Sequence, residues 1–299
     1  MISTVAPAKI NWTLEVLGRR DDGYHEVRTV MQAVDLCDEV SVGLADSLTV
    51  ARNLNAYAAD DEDIVLRAAR ALAAASGRKA EAAISVTKRV PAAAGLGGGS
   101  SDGAATLRAL DRLWETEATE DRLHEVAAGL GSDVPFFLTG GTALGEGRGE
   151  RMTPLADVGP TWLVILVPAL TMSEKTKQMY AALRPGDFTR GLQTDDFVAQ
   201  LSSGRPVAGD SLFNAFERAA YESFDGLASF RDSLVQAGAP SVHVCGAGPA
   251  LFCVASGEAE ARAIRARVAR VRRGEKVHVV RTLTGAESTA VWSDGEASG

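Results

Sequence analysis

Residues 91–101 read Pro91-Ala92-Ala93-Ala94-Gly95-Leu96-Gly97-Gly98-Gly99-Ser100-Ser101. A short apolar-polar alternation around Ile84 and Val86 precedes this stretch, and residues 100–114 follow it with apolar side chains at helical spacing. A glycine loop between a strand and a helix is the geometry in which backbone N–H groups and the helix dipole bind phosphate. The stretch therefore predicts a phosphate-binding loop.

Two familiar phosphate-binding motifs do not fit this loop. A Walker A loop needs a lysine before the Ser pair, and Ser100 occupies the place of the third glycine of the dinucleotide fingerprint. The simpler alternative is a flexible loop whose helix is capped by Ser100 or Ser101. Four glycines within five residues favour phosphate binding. Asp102 suits the helix dipole but would repel a phosphate, so we expect its side chain to point away.

Residues 9–16 alternate polar and apolar side chains, which is typical of a half-buried strand. Lys9, Asn11 and Thr13 share one face of that strand. A polar strand face is most often solvated; the functional alternative is that Lys9 and Asn11 face a binding site.

The remaining pattern mixes strands and helices without strict alternation, which favours an α+β fold. A composition change near residues 154–160 predicts an N-terminal domain over residues 1–155 and a C-terminal domain over 156–299. We predict strands at 27–42, 162–167, 242–245, 251–254 and 277–283, helices at 64–75, 123–130, 173–183, 211–224 and 258–272, and a mobile loop at 184–205.

Composition excludes several classes of protein. The 299 residues are 46% hydrophobic and 23% charged, with a formal net charge of −8, as in a globular protein that repels nucleic acid and anionic lipid. The three cysteines form no CxxC pair, which argues against a zinc site or a disulfide framework and for a reducing compartment. With no secretory signal and no membrane-length apolar run, we expect a cytoplasmic protein without a membrane or nucleic-acid partner.

Three further segments carry candidate residues, each with a structural alternative. Asp133, ahead of Pro135, matches a helix cap as well as a catalytic group. Tyr24 and His25 follow a turn, where a tyrosine stacks on a nucleobase or lies at the edge of the core. The glycine turn at 246–248 fits an ordinary hairpin. The arginines of residues 262–273 fit the solvated face of an amphipathic helix better than a nucleic-acid site.

Taken in order, these motifs resemble the GHMP kinase superfamily. The matching segments are Pro-Ala-Lys-Ile-Asn (7–11), Asp-Gly-Tyr-His-Glu (22–26), Gly-Leu-Gly-Gly-Gly-Ser-Ser-Asp (95–102), Gly-Ser-Asp-Val-Pro-Phe (131–136), Asn-Ala-Phe-Glu (214–217) and Gly-Ala-Gly-Pro (246–249). The glycine loop marks the superfamily. The segments at 22–26 and 131–136 resemble the members that phosphorylate a polyol carrying a cytidine diphosphate group in isoprenoid biosynthesis.

The resemblance implies a two-domain kinase with ATP as co-substrate, Mg²⁺, and an active site in the cleft between the domains. It implies that Lys9 and Asp133 are the catalytic pair and that residues 91–101 bind ATP. It also implies that Asn11, Tyr24 and His25 bind the substrate, and that the turn of Gly246, Ala247 and Gly248 lies near the active site.

Two residues depart from the pattern of the superfamily. Ala247 replaces a serine, so a contact there must use backbone N–H groups, and Asp63 stands where an asparagine often lies on the nucleotide side. Two alternatives stay open: a kinase of another small alcohol, such as homoserine or mevalonate, and a ligand sensor without catalysis. The tyrosine-histidine pair argues against the first, and retention of Lys9 and Asp133 argues against the second. The metal ligands and the oligomeric state are not predicted.

Overall fold

The first two strands are the longest elements of the protein. A computed structural model describes residues 1–53 and 63–293. Within these residues the strands are β1 (Ile2–Arg19), β2 (His25–Gly43), β3 (Thr49–Arg52), β4 (Ala83–Thr87), β5 (Thr142–Glu146), β6 (Arg151–Pro154), β7 (Trp162–Val167), β8 (Phe213–Asn214), β9 (His243–Val244), β10 (Leu251–Ala255), β11 (Lys276–Arg281) and β12 (Val291–Ser293).

The helices pack against two sheets. In the described residues they are α1 (Ile64–Ser76), α2 (Gly98–Trp114), α3 (Glu120–Leu130), α4 (Val134–Thr139), α5 (Lys175–Ala181), α6 (Leu192–Ser202), α7 (Glu217–Ser223), α8 (Leu227–Gln236), α9 (Glu258–Val271) and α10 (Gly285–Ser288). No helix among them is long and apolar enough to cross a membrane.

The larger sheet has the order β12-β1-β2-β4-β3, and β5 with β6 continues it beside β2. β1 and β2 pair antiparallel over nearly their whole length, with bulges at Pro7/Ala8, Asn11/Thr13 and Val16/Gly18. The smaller sheet has the order β11-β7-β10-β9. Since β8 and β12 both pair with β1, the chain returns twice from its second half to the larger sheet.

An apolar layer joins the two sheets. Trp12 is fully buried, and its ring lies 6.3 Å from the rings of Phe197 and Phe252, measured between centroids. The same buried cluster contains Ala94 and Leu96 of the glycine loop. Burying such side chains contributes about 1.5–3 kcal/mol each. The loop is therefore anchored to the core by its apolar residues while its glycines remain at the surface of a cavity.

Several predicted elements agree closely with the structure. The strand at 162–167 has the predicted bounds, and α9 ends one residue before the predicted end. α2 begins at Gly98, two residues before the predicted start. These elements carry strong local patterns, since their apolar residues recur at the period of the element.

Other predicted elements were wrong. The predicted loop at 184–205 contains α6, whose Phe197 is buried against Trp12, and the predicted helix at 211–224 is β8 followed by α7. The polar face of β1 is buried, not solvated: Lys9, Asn11 and Thr13 are at most 4% exposed. These three differences have one cause, because residues distant in sequence cover the segments concerned.

Candidate active site

The glycine loop leads directly into α2 without a side-chain cap. Gly97 is the N-cap residue, at φ +74°, and no side chain bonds to the first turn. The sequence alternative of a cap by Ser100 or Ser101 is therefore wrong. Uncapped N–H groups at a helix N-terminus, together with the helix dipole, form an anion site.

Two glycines of the loop are required by close packing. Gly95 has φ +90°, and a Cβ atom there would lie 2.0 Å from the backbone oxygen of Cys245. At Gly97 a Cβ atom would lie 2.7 Å from Cζ of Phe137. Any larger residue would push the loop away from the turn at 246–248 or from the ring of Phe137.

The loop forms one wall of a cavity of about 780 Å³. Of the residues predicted for the site, Lys9, Asp133, residues 91–100, Gly246 and Ala247 line it. Ser101 is fully buried behind the loop. The cavity has further lining residues: Arg52, Ile64, Lys88, Lys175, Thr176, Tyr180 and Phe216 were missed from the sequence, whereas Asp63 and Asp102 were noted there without a role in the site.

Lys9 and Asp133 approach each other from different elements. Nζ of Lys9 lies 3.5 Å from Oδ2 of Asp133 and donates to Oδ1 of Asn11 at 2.9 Å. The amide of Asn11 in turn donates to Thr29 at 2.8 Å, so the lysine is held by a hydrogen-bonded chain. The Lys9 side chain is 5% exposed, whereas that of Asp133 is 40% exposed. Asp133 stands at the N-cap of α4, but its side chain makes no capping bond, so the carboxylate is available to a ligand.

A second buried ion cluster closes the base of the loop. Lys88, just before the loop, donates to Asp38 and to Oδ2 of Asp102, the latter at 2.6 Å. Oδ1 of Asp38 also accepts hydrogen bonds from the backbone N–H groups of Arg89 and Val90, the latter at 2.7 Å. The Asp102 carboxylate pairs with Lys88, although the residue also lines the cavity.

Protonation in this cluster follows from burial. Burial raises the pKa of Asp102 to about 7, and the charge of Lys88 opposes that rise. Burial by itself lowers the pKa of Lys88. The charges of Asp102 and Asp38 outweigh burial, so the pKa of Lys88 is raised. Oδ1 of Asp102 has no partner among the described residues, whereas Asp38 accepts three hydrogen bonds. Burial therefore favours the neutral form of Asp102.

His25 lies in an aromatic group that borders the cavity, and Tyr24 precedes it in the chain. Tyr24 is 53% exposed, and the guanidinium of Arg148 lies 4.7 Å from its ring centroid. His25 stacks on Tyr180, with centroids 4.5 Å apart, and its ring is parallel to that of Phe188 at 6.3 Å. Burial, and then the charge of Arg19, lower the pKa of His25, so the imidazole is neutral at pH 7. No local pattern singles out Tyr180 or Phe188.

The turn at 246–248 joins β9 to β10 and also reaches the active site. The Asn214 amide donates to the backbone oxygens of Val244 and Gly246 at 2.9 and 2.8 Å, which fixes the start of the turn. Gly246 has φ +53°, and a Cβ atom there would lie 3.3 Å from Nζ of Lys9. The turn is a hairpin, as the simpler interpretation holds, and it lines the cavity as well.

Asp63 has two partners within the protein. Its carboxylate caps α1 through the N–H of Val65 at 2.8 Å and pairs with Arg52 at 2.6 Å. The residue lines the cavity, so its contacts with a nucleotide would be made beside this ion pair.

Known proteins match this chain in sequence and in structure. The models described as GHMP kinases N terminal domain and GHMP kinases C terminal match residues 63–141 and 202–273. A 4-diphosphocytidyl-2-C-methyl-D-erythritol kinase of Dehalococcoides mccartyi is 39% identical, over 95% of this chain and 99% of that relative. One of Geobacter metallireducens is 40% identical, over 86% and 90% of the two chains.

Solved structures agree with these matches. A crystal structure of a 4-(cytidine 5'-diphospho)-2C-methyl-D-erythritol kinase has a TM-score of 0.79 and 34% identity, covering 94% of this chain and 98% of its own. A homoserine kinase from Cytophaga hutchinsonii has a TM-score of 0.74 at 18% identity, covering 98% and 97%. At that identity the second likeness concerns the fold alone.

Proposed function

The chain belongs to the 4-diphosphocytidyl-2-C-methyl-D-erythritol kinases of the GHMP kinase superfamily, and from this premise we propose the roles of its residues in the reaction. The enzyme is an ATP-dependent kinase of an alcohol. It transfers the γ-phosphoryl group of ATP to the 2-hydroxyl group of 4-diphosphocytidyl-2-C-methyl-D-erythritol. The observation that carries this assignment of roles is the approach of Lys9 to Asp133, 3.5 Å apart, at the cavity that the glycine loop lines.

Phosphoryl transfer depends mainly on positioning and charge stabilisation. Residues 91–101 hold the phosphates of ATP through backbone N–H groups and the dipole of α2. Asp133 orients the 2-hydroxyl group and accepts its proton as the oxygen bonds to the γ-phosphorus and ADP leaves. Lys9, held by Asn11, offsets the negative charge that develops around the transferred group.

Mg²⁺ enters this proposal as a cation carried by the nucleotide. In residues 1–53 and 63–293 no three His, Cys, Asp or Glu side chains cluster as a metal site would require. Mg²⁺ is commonly held by one or two carboxylates together with substrate phosphates, so the cation would enter the cavity with the nucleotide. The ion would neutralise phosphate charge during transfer.

The cytidine group is proposed to bind at the aromatic group around His25. The exposed ring of Tyr24 offers a stacking face, and the neutral imidazole of His25 offers one donor and one acceptor to the edge of the base. Homoserine and mevalonate carry no base, so a kinase for either would not use these two residues.

Two sequence-based predictions remain proposals. The cavity takes residues from both predicted domains, since Lys9 and Asp133 precede residue 155 and Lys175 and Gly246 follow it. We propose that the domain boundary lies near residue 155 and that the protein is cytoplasmic. The last residues of the predicted second domain, 294–299, lie outside the described residues.

A basic helix gives little support to a nucleic-acid function. On and just beyond α9, Arg265 donates to the backbone oxygen of Val277, Arg267 to that of Ala237, and Arg272 to Ser233. These guanidinium groups hold neighbouring segments in place.

The test is an ADP-release assay with ATP and Mg²⁺. Purified protein is offered the cytidyl substrate, homoserine and mevalonate in parallel. We expect turnover with the cytidyl substrate alone. Turnover with homoserine or mevalonate but not with the cytidyl substrate would contradict the proposal, and ATP binding without turnover on any of the three would indicate a sensor.

A further inference from the structure

One cation of the cavity has no carboxylate partner among the described residues. Arg52 pairs with Asp63, Lys88 with Asp102, and Lys9 with Asp133. Among the described residues, Lys175, at the start of α5, donates hydrogen bonds to two backbone oxygens: its Nζ lies 2.8 Å from that of Ala93 and 2.6 Å from that of Gly248. An ammonium group has three donors, so one N–H of Lys175 remains for a ligand.

The two oxygens that Lys175 contacts belong to the two glycine segments of the site. Ala93 lies in the phosphate loop, where it has φ +55°, a conformation that costs a non-glycine residue about 1–2 kcal/mol. Gly248 lies in the turn that faces the loop, and the N–H of Ala250 also donates to the oxygen of Ala94 at 3.1 Å. Lys175 therefore bridges the loop and the turn at the point where they meet.

We propose that Lys175 is a further phosphate-binding residue of this kinase: it ties the phosphate loop to the turn at 246–248 and donates its third N–H to the terminal phosphate of the nucleotide. This inference rests on the proposed function in one respect, that the bound phosphate compound is ATP. A partly buried cation that lacks a carboxylate is stabilised by an incoming anion, and a nucleotide with its polyphosphate is the anion that this cavity is built to take.

The pKa of Lys175 makes this role measurable as proton uptake on nucleotide binding. Burial, and then the charge of Lys9, lower the pKa of Lys175 to about 8, while Cys245 and Asp133 oppose this. A bound phosphate favours the charged form and raises that pKa again. Near pH 8.5 the nucleotide is fully ionised, since phosphates titrate near pH 6. Burial raises the pKa of Cys245 to about 12, so that thiol keeps its proton at pH 8.5. Binding should therefore take up a proton on Lys175.

The experiment is calorimetry of a non-hydrolysable ATP analogue with Mg²⁺ at pH 8.5, in buffers of different ionisation enthalpy. No alcohol substrate is present, so the result is independent of which alcohol the enzyme phosphorylates. We compare wild type with Lys175→Met, Lys175→Arg and the control Lys177→Met. Lys177 lies on the same helix, is exposed and pairs with Glu174.

Wild type and Lys177→Met should take up a fraction of a proton on binding. Lys175→Met should bind about 10- to 100-fold more weakly, the loss typical of a charged hydrogen bond, with no proton uptake. Lys175→Arg should keep most of the affinity and also take up no proton, because arginine is already charged.

Wild-type affinity in Lys175→Met would overturn the proposal, and so would proton uptake that persists in Lys175→Met or Lys175→Arg. If Lys175→Met does not fold, as shown by its thermal melt, Lys175→Arg alone decides. If Lys175→Arg binds the analogue with retained affinity but takes up no proton, the proposal is supported. If Lys175→Arg still takes up a proton, the proposal is refuted. Failure of the proposed function would appear separately, as absence of turnover on the cytidyl substrate by wild type.

Discussion

Gly95→Ala is the substitution whose effect can be worked out most directly from the geometry. A Cβ atom at Gly95 would lie 2.0 Å from the oxygen of Cys245 and 3.1 Å from that of Gly248. Both are backbone atoms, which cannot rotate away as a flexible side chain does. Since a carbon–oxygen contact needs about 3.3 Å, the loop must retreat from the turn by about 1 Å.

That displacement sets the expected size of the effect. A misplacement of about 1 Å in a catalytic site costs roughly 100-fold in rate, equivalent to about 2.7 kcal/mol of transition-state stabilisation. The left-handed backbone at φ +90° adds about 1–2 kcal/mol of strain for alanine. We expect kcat/KM to fall about 100-fold and the melting temperature to fall by about 2–8 °C.

Gly129→Ala is the matched control. Gly129 lies within α3, and a Cβ atom there meets no other atom within 4 Å. That variant should keep full activity and gain about 0.5–1 kcal/mol of stability from helix propensity. Steady-state kinetics and a thermal melt of both variants test the reasoning. A Gly95→Ala enzyme with unchanged melting temperature and kcat/KM within about threefold of wild type would show that the working enzyme does not hold the loop against the turn.

Four other predictions concern the carboxylates and the aromatic group. Asp133→Asn should lower kcat by about 10²–10⁴-fold with nucleotide affinity unchanged; a kcat above about a third of wild type would contradict its role as the base. Tyr24→Ala should raise KM for the cytidyl substrate about 10- to 100-fold with little change in melting temperature, because the ring is 53% exposed; an unchanged KM would remove the stacking role. His25→Ala should narrow the preference for a cytidyl over a uridyl analogue, and an unaltered ratio of kcat/KM values would count against base recognition. Because burial raises the pKa of Asp102 to about 7, its contribution to stability is full below about pH 4 and is lost as pH rises through 7. The free energy of unfolding of the wild type should therefore decrease between about pH 5 and pH 8, and in Asp102→Asn this decrease should be smaller. Denaturant unfolding at both pH values measures it, and an equal decrease in the two proteins would contradict the prediction.

Features that depend on local chain chemistry were predictable from the sequence. The cluster of glycines at 95–99 predicts a loop with left-handed backbone, and Gly95 and Gly97 have φ +90° and +74°. The strand at 162–167 and the helix after the loop follow from their periodicity. The order of the motifs was sufficient to predict the family.

The chemistry around the loop was decided by tertiary structure. The sequence predicts that Lys9 and Asn11 share a face, but only the packing of other elements shows that this face is buried beside Asp133. Lys175 differs from Lys177 by no local pattern, yet it reaches two backbone oxygens at residues 93 and 248 while Lys177 pairs with its own helix.

The physical reason is the range of the forces involved. Backbone conformation and periodicity depend on neighbours within a few residues, so a sequence displays them directly. Burial, pKa shifts and ion pairing depend on which distant segments exclude water from a group, as Asp38 and Asp102 do for Lys88. Such contacts come into existence only when β2, β4 and α2 have packed together, and they decide which of the candidate side chains acts on a ligand.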